Sequence, residues 1–384
     1  MYRNYKQATQ AIIACALSLA AVSCRSVYKT ASVPAIQELH LLGTYVIPHK
    51  QQFAGTTVGG LSGIDYDARR KLYYLICDDR SAMNPARFYT ASIAMNERGI
   101  DSVHLVAVTS LRQPGGSVYP DTKTDPLHTP DPESMRYDPV HDQLIWGSEG
   151  ERIVKKDVTV LEDASIIAIK RSGAYIDSFV LPSNMHMHAD AHGPRQNGVF
   201  EGSSFIDNYK KLLVSVEEPI YEDGPRAGLR DSSGLIRILS FDVATRKPLA
   251  QYGYSIDPVP YAPVPEGSFR INGVPDILAI NSHQLIVIER AFSTGRRGCV
   301  VKLYLAELDG AEDVSGRVSL RGTAFKAVQK KLLLNMDQLE RYIDNVEGVT
   351  LGPVLPNGHR SLVLVADDNF DPDEETQFFL FEIR

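Results

Sequence analysis

Acidic residues recur along this chain at an interval too regular to arise from composition. Glu133, Glu201, Asp276 and Glu347, with Ser62 at the equivalent place in the first unit, each open an apolar segment, and the five positions stand 71, 68, 75 and 71 residues apart. Each is followed by a second acidic position: Asp78, Glu149, Glu217, Glu289 and Asp367, after 16, 16, 16, 13 and 20 residues. Asp79, Glu218 and Asp368 adjoin that second set. Carboxylates gathered in one place raise one another's pKa and repel strongly unless paired arginine, shared protons or a bound cation relieves them. Oxygen-rich sites of this kind select hard cations such as Ca²⁺ or Mg²⁺. Asp78, Asp79, Glu133, Glu149, Asp276, Glu289, Glu347, Asp367 and Asp368 are therefore the candidate metal ligands. Arg80, Arg195 and Arg290 lie beside or near members of the set, and a guanidinium fork grips phosphate or carboxylate oxygens in pairs.

The elements that must position these residues follow from the same repeat. In each unit an acidic or small residue opens one strand, a turn follows, and a second apolar strand closes on acidic residues. The first unit reads as strands over 60–67, 71–79, 87–94 and 103–111, rich in β-branched and aromatic residues and separated by turn formers. No long amphipathic helix is evident, beyond a turn or two near 322–345. Four-stranded units repeated around a ring make an all-β propeller. Twenty strands give five blades, with six as the alternative if strands have been merged. The last unit holds only three strands, ending at 376–383, and the spare N-terminal strand 39–48 completes it and closes the ring. Strands one and two of each unit form a hairpin, so the two acidic positions meet at one end of the blade. Five hairpins around one axis then gather the acids at one mouth of the channel. The competing reading is architectural, in which such acids cap strand ends or bond a neighbouring blade's backbone.

The chain ends and the composition narrow the class. The 384 residues are 43% hydrophobic and 23% charged, too apolar for disorder. A net charge of −7 disfavours a nucleic-acid partner. Residues 1–23 hold Arg3 and Lys6 and no acid, then a mostly apolar stretch ending Ala21-Val22-Ser23-Cys24. This reads as a secretory signal, and the ending resembles a bacterial lipobox with Cys24 as the lipidated residue. The expected organisation is a signal peptide at 1–23, a lipidated tether at 24–37 and one propeller domain at 38–384. Localisation in the cell envelope follows, anchored to the membrane through lipid and facing the periplasm, as a monomer. Cys77 and Cys299 sit in apolar strand-like runs and read as small buried hydrophobes, not as a disulfide framework.

The chain resembles the phytase-like propeller family described as having esterase-like activity. The residues that carry the resemblance are GLSGIDYD with ICDDR and ARFY, DPES with SEGE, and RQNGVFEGSS with EEP. NGVPDILAI with VIERAF and NVEGVTLGP with LVADDNF continue it, so that it spans about 40 to 384. Ser62 stands where the later units carry Glu or Asp. The resemblance implies hydrolysis of an ester, by analogy a phosphate ester with calcium. On that reading Glu217, Glu218 or Glu201 takes the proton from water, while Arg80, Arg195 or Arg290 clamps the substrate. The net negative charge makes a cation a requirement for any anionic substrate. The alternative is a non-catalytic propeller that binds a carbohydrate, peptide or envelope partner on the same face.

Other constellations are weaker. His186, His188 and His192 read as a solvated loop lacking a nameable fourth zinc ligand. Residues 121–132 alternate acids without EF-hand spacing and read as a long, lid-like loop near the acidic mouth. Ser62 lacks the G-x-S-x-G elbow, which argues against a serine hydrolase built on it or on Ser203 and Ser204. Residues 370–377 read as an exposed acidic turn.

Overall fold

The computed structural model describes residues 36–230 and 234–384. Cys24, the leader and most of the tether lie outside them. Five antiparallel blades form a ring, and their strands follow the chain in order. Blade 1 holds Gly63–Asp67, Leu72–Cys77, Arg87–Asn96 and Gly99–Ser110. Blade 2 holds Pro132–Asp138, Gln143–Ser148, Ser165–Lys170 and Tyr175–Ser178, with a hairpin of Glu151–Lys155 and Val158–Glu162 inserted after its second strand. Blade 3 holds Phe200–Ile206, Lys211–Val216, Leu235–Asp242 and Pro248–Ser255. Blade 4 has a broken innermost strand, Arg270–Gly273 and Ile277–Ala279, before Gln284–Ser293, Val300–Glu307 and Gln329–Asn335.

Blade 5 is built from both ends of the described chain. Asn345–Val354, Arg360–Asp367 and Thr376–Ile383 are joined by the N-terminal strand Leu39–Ile47, which runs antiparallel to the last strand from Leu39 opposite Ile383 to Ile47 opposite Thr376. The expected closure is thus present, and it covers an edge whose sequence, TQFFLFEI, is apolar enough to template aggregation if left open. The only helical turns among the described residues are three short ones, one of them Met336–Leu339.

Five buried hydrophobic clusters hold the ring, one at each blade interface. Tyr74, Ile76 and Phe88 of blade 1 meet Met135, Leu144 and Trp146 of blade 2. Corresponding clusters join blades 2 and 3, 3 and 4, 4 and 5, and 5 and 1. Both faces of the central strands are therefore covered, which is why they read as continuous apolar runs such as LLVSV and SLVLVA.

The turn joining the first two strands has a chemical cause in four blades. Asp67 accepts from the amides of Arg69 and Arg70, and Asp138 from those of Val140 and His141. Asn281 bonds the amides of His283 and Gln284, and Asn357 that of His359. Short Asx side chains that bond the backbone just ahead make such turns. Blade 3 instead carries three consecutive left-handed residues, Asp207, Asn208 and Tyr209.

The innermost strands converge on a single ion pair. Arg136, from blade 2, donates to the carbonyls of Ile64, Ser203, Val349 and Ile277 and to the carboxylate of Asp276 at 2.7 Å. It thereby touches the other four blades. Asp276 in turn accepts from the amides of Ser203, Ile277 and Val349. Gly202 permits this close approach, since a Cβ there would stand 2.5 Å from the Asp276 Cα. The pair plugs the axis and separates two mouths.

Candidate functional site: an acidic cavity at one mouth

Strand register decides which acids reach the mouth. The pairs Ile64–Leu75, Met135–Trp146, Ser203–Val214, Ile277–Val287 and Val349–Leu364 are equivalent across the ring. Two residues before the first member stand Ser62, Glu133, Glu201, Pro275 and Glu347. Three residues after the second stand Asp78, Glu149, Glu217, Arg290 and Asp367. Blade 4 therefore departs from the sequence alignment. Asp276 is shifted by one residue from the Glu133/Glu201/Glu347 position, and a one-residue shift turns a side chain to the other side of a strand. It became the axial partner of Arg136. Glu289 is displaced in the same way and ties blade 4 to blade 3, accepting from Tyr254 Oη of blade 3 at 2.8 Å, from Lys330 of blade 4 and from the Asp257 amide between them. The anomalous 13-residue interval in that unit was the visible sign.

The result is a cavity of about 440 Å³ with an uneven wall. Asp78, Glu133, Glu149, Glu201, Glu217, Asp344, Glu347 and Glu374 line it, against one guanidinium, Arg290. Phe269, Ile271 and Phe292 of blade 4 and Tyr342 form an apolar side. Arg290 bridges Glu217 and Glu347 and also donates to Asn345 Oδ1. Gly273 leaves room for this arrangement, because a Cβ there would lie 2.6 Å from the Glu217 Cγ.

Five carboxylates form two groups that share a member. Asp131, Glu133 and Glu149 present oxygens within 4.8 Å of one another, and so do Glu149, Glu201 and Glu217. All five are buried. Burial, reinforced by the neighbouring carboxylates, pushes Glu149 up to about 8. Glu133 and Glu201 are driven well above the usual carboxylate range for the same reasons, as is Asp78 beside Glu347 and Asp131. Asp131 rises to about 6 through burial, opposed by Arg80. Glu347 rises to about 7 despite Arg290. A buried oxygen-only cluster with so little counter-charge has the donor chemistry for hard cations.

The remaining candidate residues are placed around this cavity and not in it. Asp79 is committed to the 79–87 loop, accepting from the amides of Ala82, Met83 and Asn84 and from Arg87 at 2.7 Å. Asp368 accepts from the Gly60 and Phe370 amides. Asp367 bonds the Asn369 amide, leaving its buried Oδ2 unpartnered, and burial beside Asp78 and Glu347 raises its pKa strongly. Glu218 is held by Arg226 at 2.7 Å, and burial beside Glu217 raises it to about 7. Arg195 donates to the carbonyls of Pro219 and Gly224 and lies over Tyr221. Arg80 pairs with Glu151 at 2.7 Å and approaches Asp131 to 3.5 Å, while its Nε and Nη2 are buried without hydrogen-bond partners.

Four contributors escaped the repeat reading. Asp131 arrives from the long 111–131 connection, whose 121–132 stretch was expected to be lid-like. Asp344 and Glu374 come from segments flanking blade 5 strands and Asn345 opens one of those strands, and Glu374 belongs to the stretch expected to be an exposed acidic turn. The three histidines behave as a loop: His186 pairs with Asp163 and His192 with Asp190, both exposed. Ser62 Oγ donates to the Glu133 carbonyl and Ser204 Oγ accepts from the Ala279 amide. Cys77 and Cys299 are buried free thiols.

The phytase-like family described as "Esterase-like activity of phytase" matches residues 56–370, most of the chain. The chain belongs to this family. No curated protein matches it at significant similarity. Among solved structures, this phytase-like propeller is similar to an α-L-arabinofuranosidase from Lactobacillus brevis, at 10% identity and a TM-score of 0.47, covering 88% of this chain and 92% of that one. It is also similar to a periplasmic gluconolactonase from Pseudomonas aeruginosa, at 11% identity and a TM-score of 0.35, covering 90% and 99%. Likenesses this distant carry nothing about chemistry. The acidic cavity of this phytase-like chain has to be read from its own residues.

Proposed function

We propose that this protein is an exported, cation-dependent ester hydrolase, anchored through Cys24 and acting at the acidic mouth. The observation that carries the reading is the pair of three-carboxylate groups sharing Glu149, five buried acids with only Arg290 at the cavity and Arg80 beside Asp131 as counter-charge. Family membership supports ester chemistry. Asp131, Glu133, Glu149, Glu201 and Glu217 would hold the cation, with calcium favoured because the site offers many oxygens and no nitrogen or sulfur ligand. When bound, such a cation polarises an ester or phosphoryl oxygen and lowers the pKa of water.

The chain's own groups supply the rest. Glu201, beside Glu149 and Glu217, would accept the proton of the attacking water at the carboxylate oxygen left free of the cation. Arg290 holds Glu217 and Glu347 in place through its two Nη atoms, which are thereby committed, and only its Nε is left without a partner. Arg80 stands outside the cavity wall next to Asp131, and its Nη2, without a hydrogen-bond partner, is the group available to grip an anionic oxygen that reaches it. Phe269, Ile271 and Phe292 take an apolar portion of the ester and exclude water from that side.

Calcium titration by calorimetry tests the foundation. Saturable binding to the wild type, and its loss in Glu133→Gln/Glu201→Gln, is the expected result. Equal binding by the wild type and the double variant would remove the cluster as the cation site.

A further inference from the structure

At the opposite end of the axis lies a second cavity of about 390 Å³, sealed from the acidic one by the Arg136–Asp276 pair. Asp65, Tyr66, Tyr137, Phe205, Tyr209 and Arg360 are prominent in its wall, and all five blades reach it. Its size falls in the range of small-molecule sites, which are typically about 300–1,000 Å³. The charges in it are largely cancelled. Asp67 is bonded by Arg70 at 2.7 Å, and Asp65 is occupied by the Tyr137 amide and the Thr350 hydroxyl.

Arg360 is the exception. Among the described residues its guanidinium has no hydrogen-bond acceptor and no carboxylate partner, and its Nε is buried and unsatisfied. The ionisable groups around it are the phenols of Tyr66, Tyr73 and Tyr209, and burial lowers its pKa from the ordinary arginine value. An arginine cannot shed its proton to escape such a position. A partly buried fork ringed by phenols, while the carboxylates of this cavity are spent on other partners, is therefore an incomplete pair.

The aromatic residues are presented with similar specificity. Tyr66 stacks obliquely on Tyr73 with ring centroids 4.6 Å apart, and Tyr209 on Phe205 at 5.2 Å. Neither the Tyr66 nor the Tyr209 hydroxyl has a partner among the described residues. Tyr209 ends the run of three left-handed residues, with φ of 64°, in the one inner turn that is not made by a simple Asx bond. A bulky residue in that conformation is unfavourable, and such strain concentrates where a side chain has to be aimed.

We infer that this mouth binds a small ring-bearing monocarboxylate, with its carboxylate on Arg360 and its ring against the Tyr66 and Tyr209 faces. A single unpaired guanidinium matches a single negative charge, and the two free phenols donate to ring hydroxyls or to the carboxylate. The inference is independent of the cation reading, because it uses no residue of the acidic cavity.

Calorimetric titration of the full chain with D-glucuronate, benzoate, glucose and inorganic phosphate tests it. At least one of the two ring carboxylates binds saturably with a dissociation constant of roughly 1 mM or tighter; glucose and phosphate do not. Arg360→Gln weakens that binding by at least about tenfold, Tyr209→Ala weakens it as well, and Glu133→Gln/Glu201→Gln leaves it unchanged. Melting curves of each variant separate loss of binding from loss of fold, and Tyr66→Ala replaces any variant that does not fold. Failure of both carboxylates to bind overturns the inference, as does phosphate binding equally well, or binding that survives Arg360→Gln.

Discussion

Replacing Glu149 with glutamine should stabilise the cation-free protein at neutral to alkaline pH, although the residue is buried and hydrogen-bonded. Glu149 accepts from the Val199 amide at 2.5 Å, and a glutamine carbonyl preserves that bond. What the substitution removes is the ionisation problem. Burial among Glu217 and Asp131 raises the carboxyl from 4.5 to about 8, so between these values the folded state holds a proton that the unfolded state has released. Stability attached to this group is complete below the unfolded value and is lost as pH rises towards the folded one. For Glu149 alone the loss is on the order of 4 kcal/mol at about pH 7.5. In a chain of this size that corresponds to a melting shift of roughly 5 °C.

Differential scanning calorimetry in chelator, at about pH 5 and about pH 8, reads this directly. The wild type should melt lower at the higher pH, and Glu149→Gln should narrow the gap. Added calcium should raise the wild-type melting temperature most at the higher pH, where the carboxylates are free to ionise, and should do little for Glu149→Gln. A wild type that gains stability between those pH values in chelator, or a glutamine variant less stable than the wild type at about pH 8, would refute the reasoning.

Three further outcomes are expected. Asp276→Ala strands Arg136 at the axis and should cost about 3–5 kcal/mol in urea unfolding, whereas Arg136→Met/Asp276→Leu should recover much of that loss. Deleting residues up to Ile47 uncovers the 376–383 edge, so light scattering should show concentration-dependent aggregation that the intact chain lacks. Cys77 and Cys299 should resist a thiol reagent in the native protein and react on unfolding, because burial drives Cys77 far up and Cys299 to about 12.

The ring was legible because blade-scale repetition leaves a period of roughly seventy residues, and because a spare strand at one end matched a missing one at the other. Most of the acidic mouth was legible for the same reason: Asp78, Glu133, Glu149, Glu201, Glu217 and Glu347 fall at positions that register carries to the channel. Asp276 and Glu289 misled because identity of residue type was taken for identity of position, and in a strand one residue separates the two sides. Arg195 and Asp79 misled differently: proximity in sequence to the cluster does not say whether a side chain is spent on loop carbonyls or amides. Asp131, Asp344 and Glu374 lie in connections between strands, which carry no periodicity. The axial Arg136 was invisible until the strands were brought together, since a lone arginine in a strand has no pattern.

The most direct test of the central claim is hydrolysis of a panel of phosphomonoesters and carboxylic esters by the chain from residue 25 onward, with calcium and with chelator, beside Glu133→Gln/Glu201→Gln. Turnover that requires the cation and is lost in the double variant is the predicted result. Turnover unaffected by chelator and by both substitutions, or calcium binding to the cluster with no hydrolysis of any ester, would contradict it.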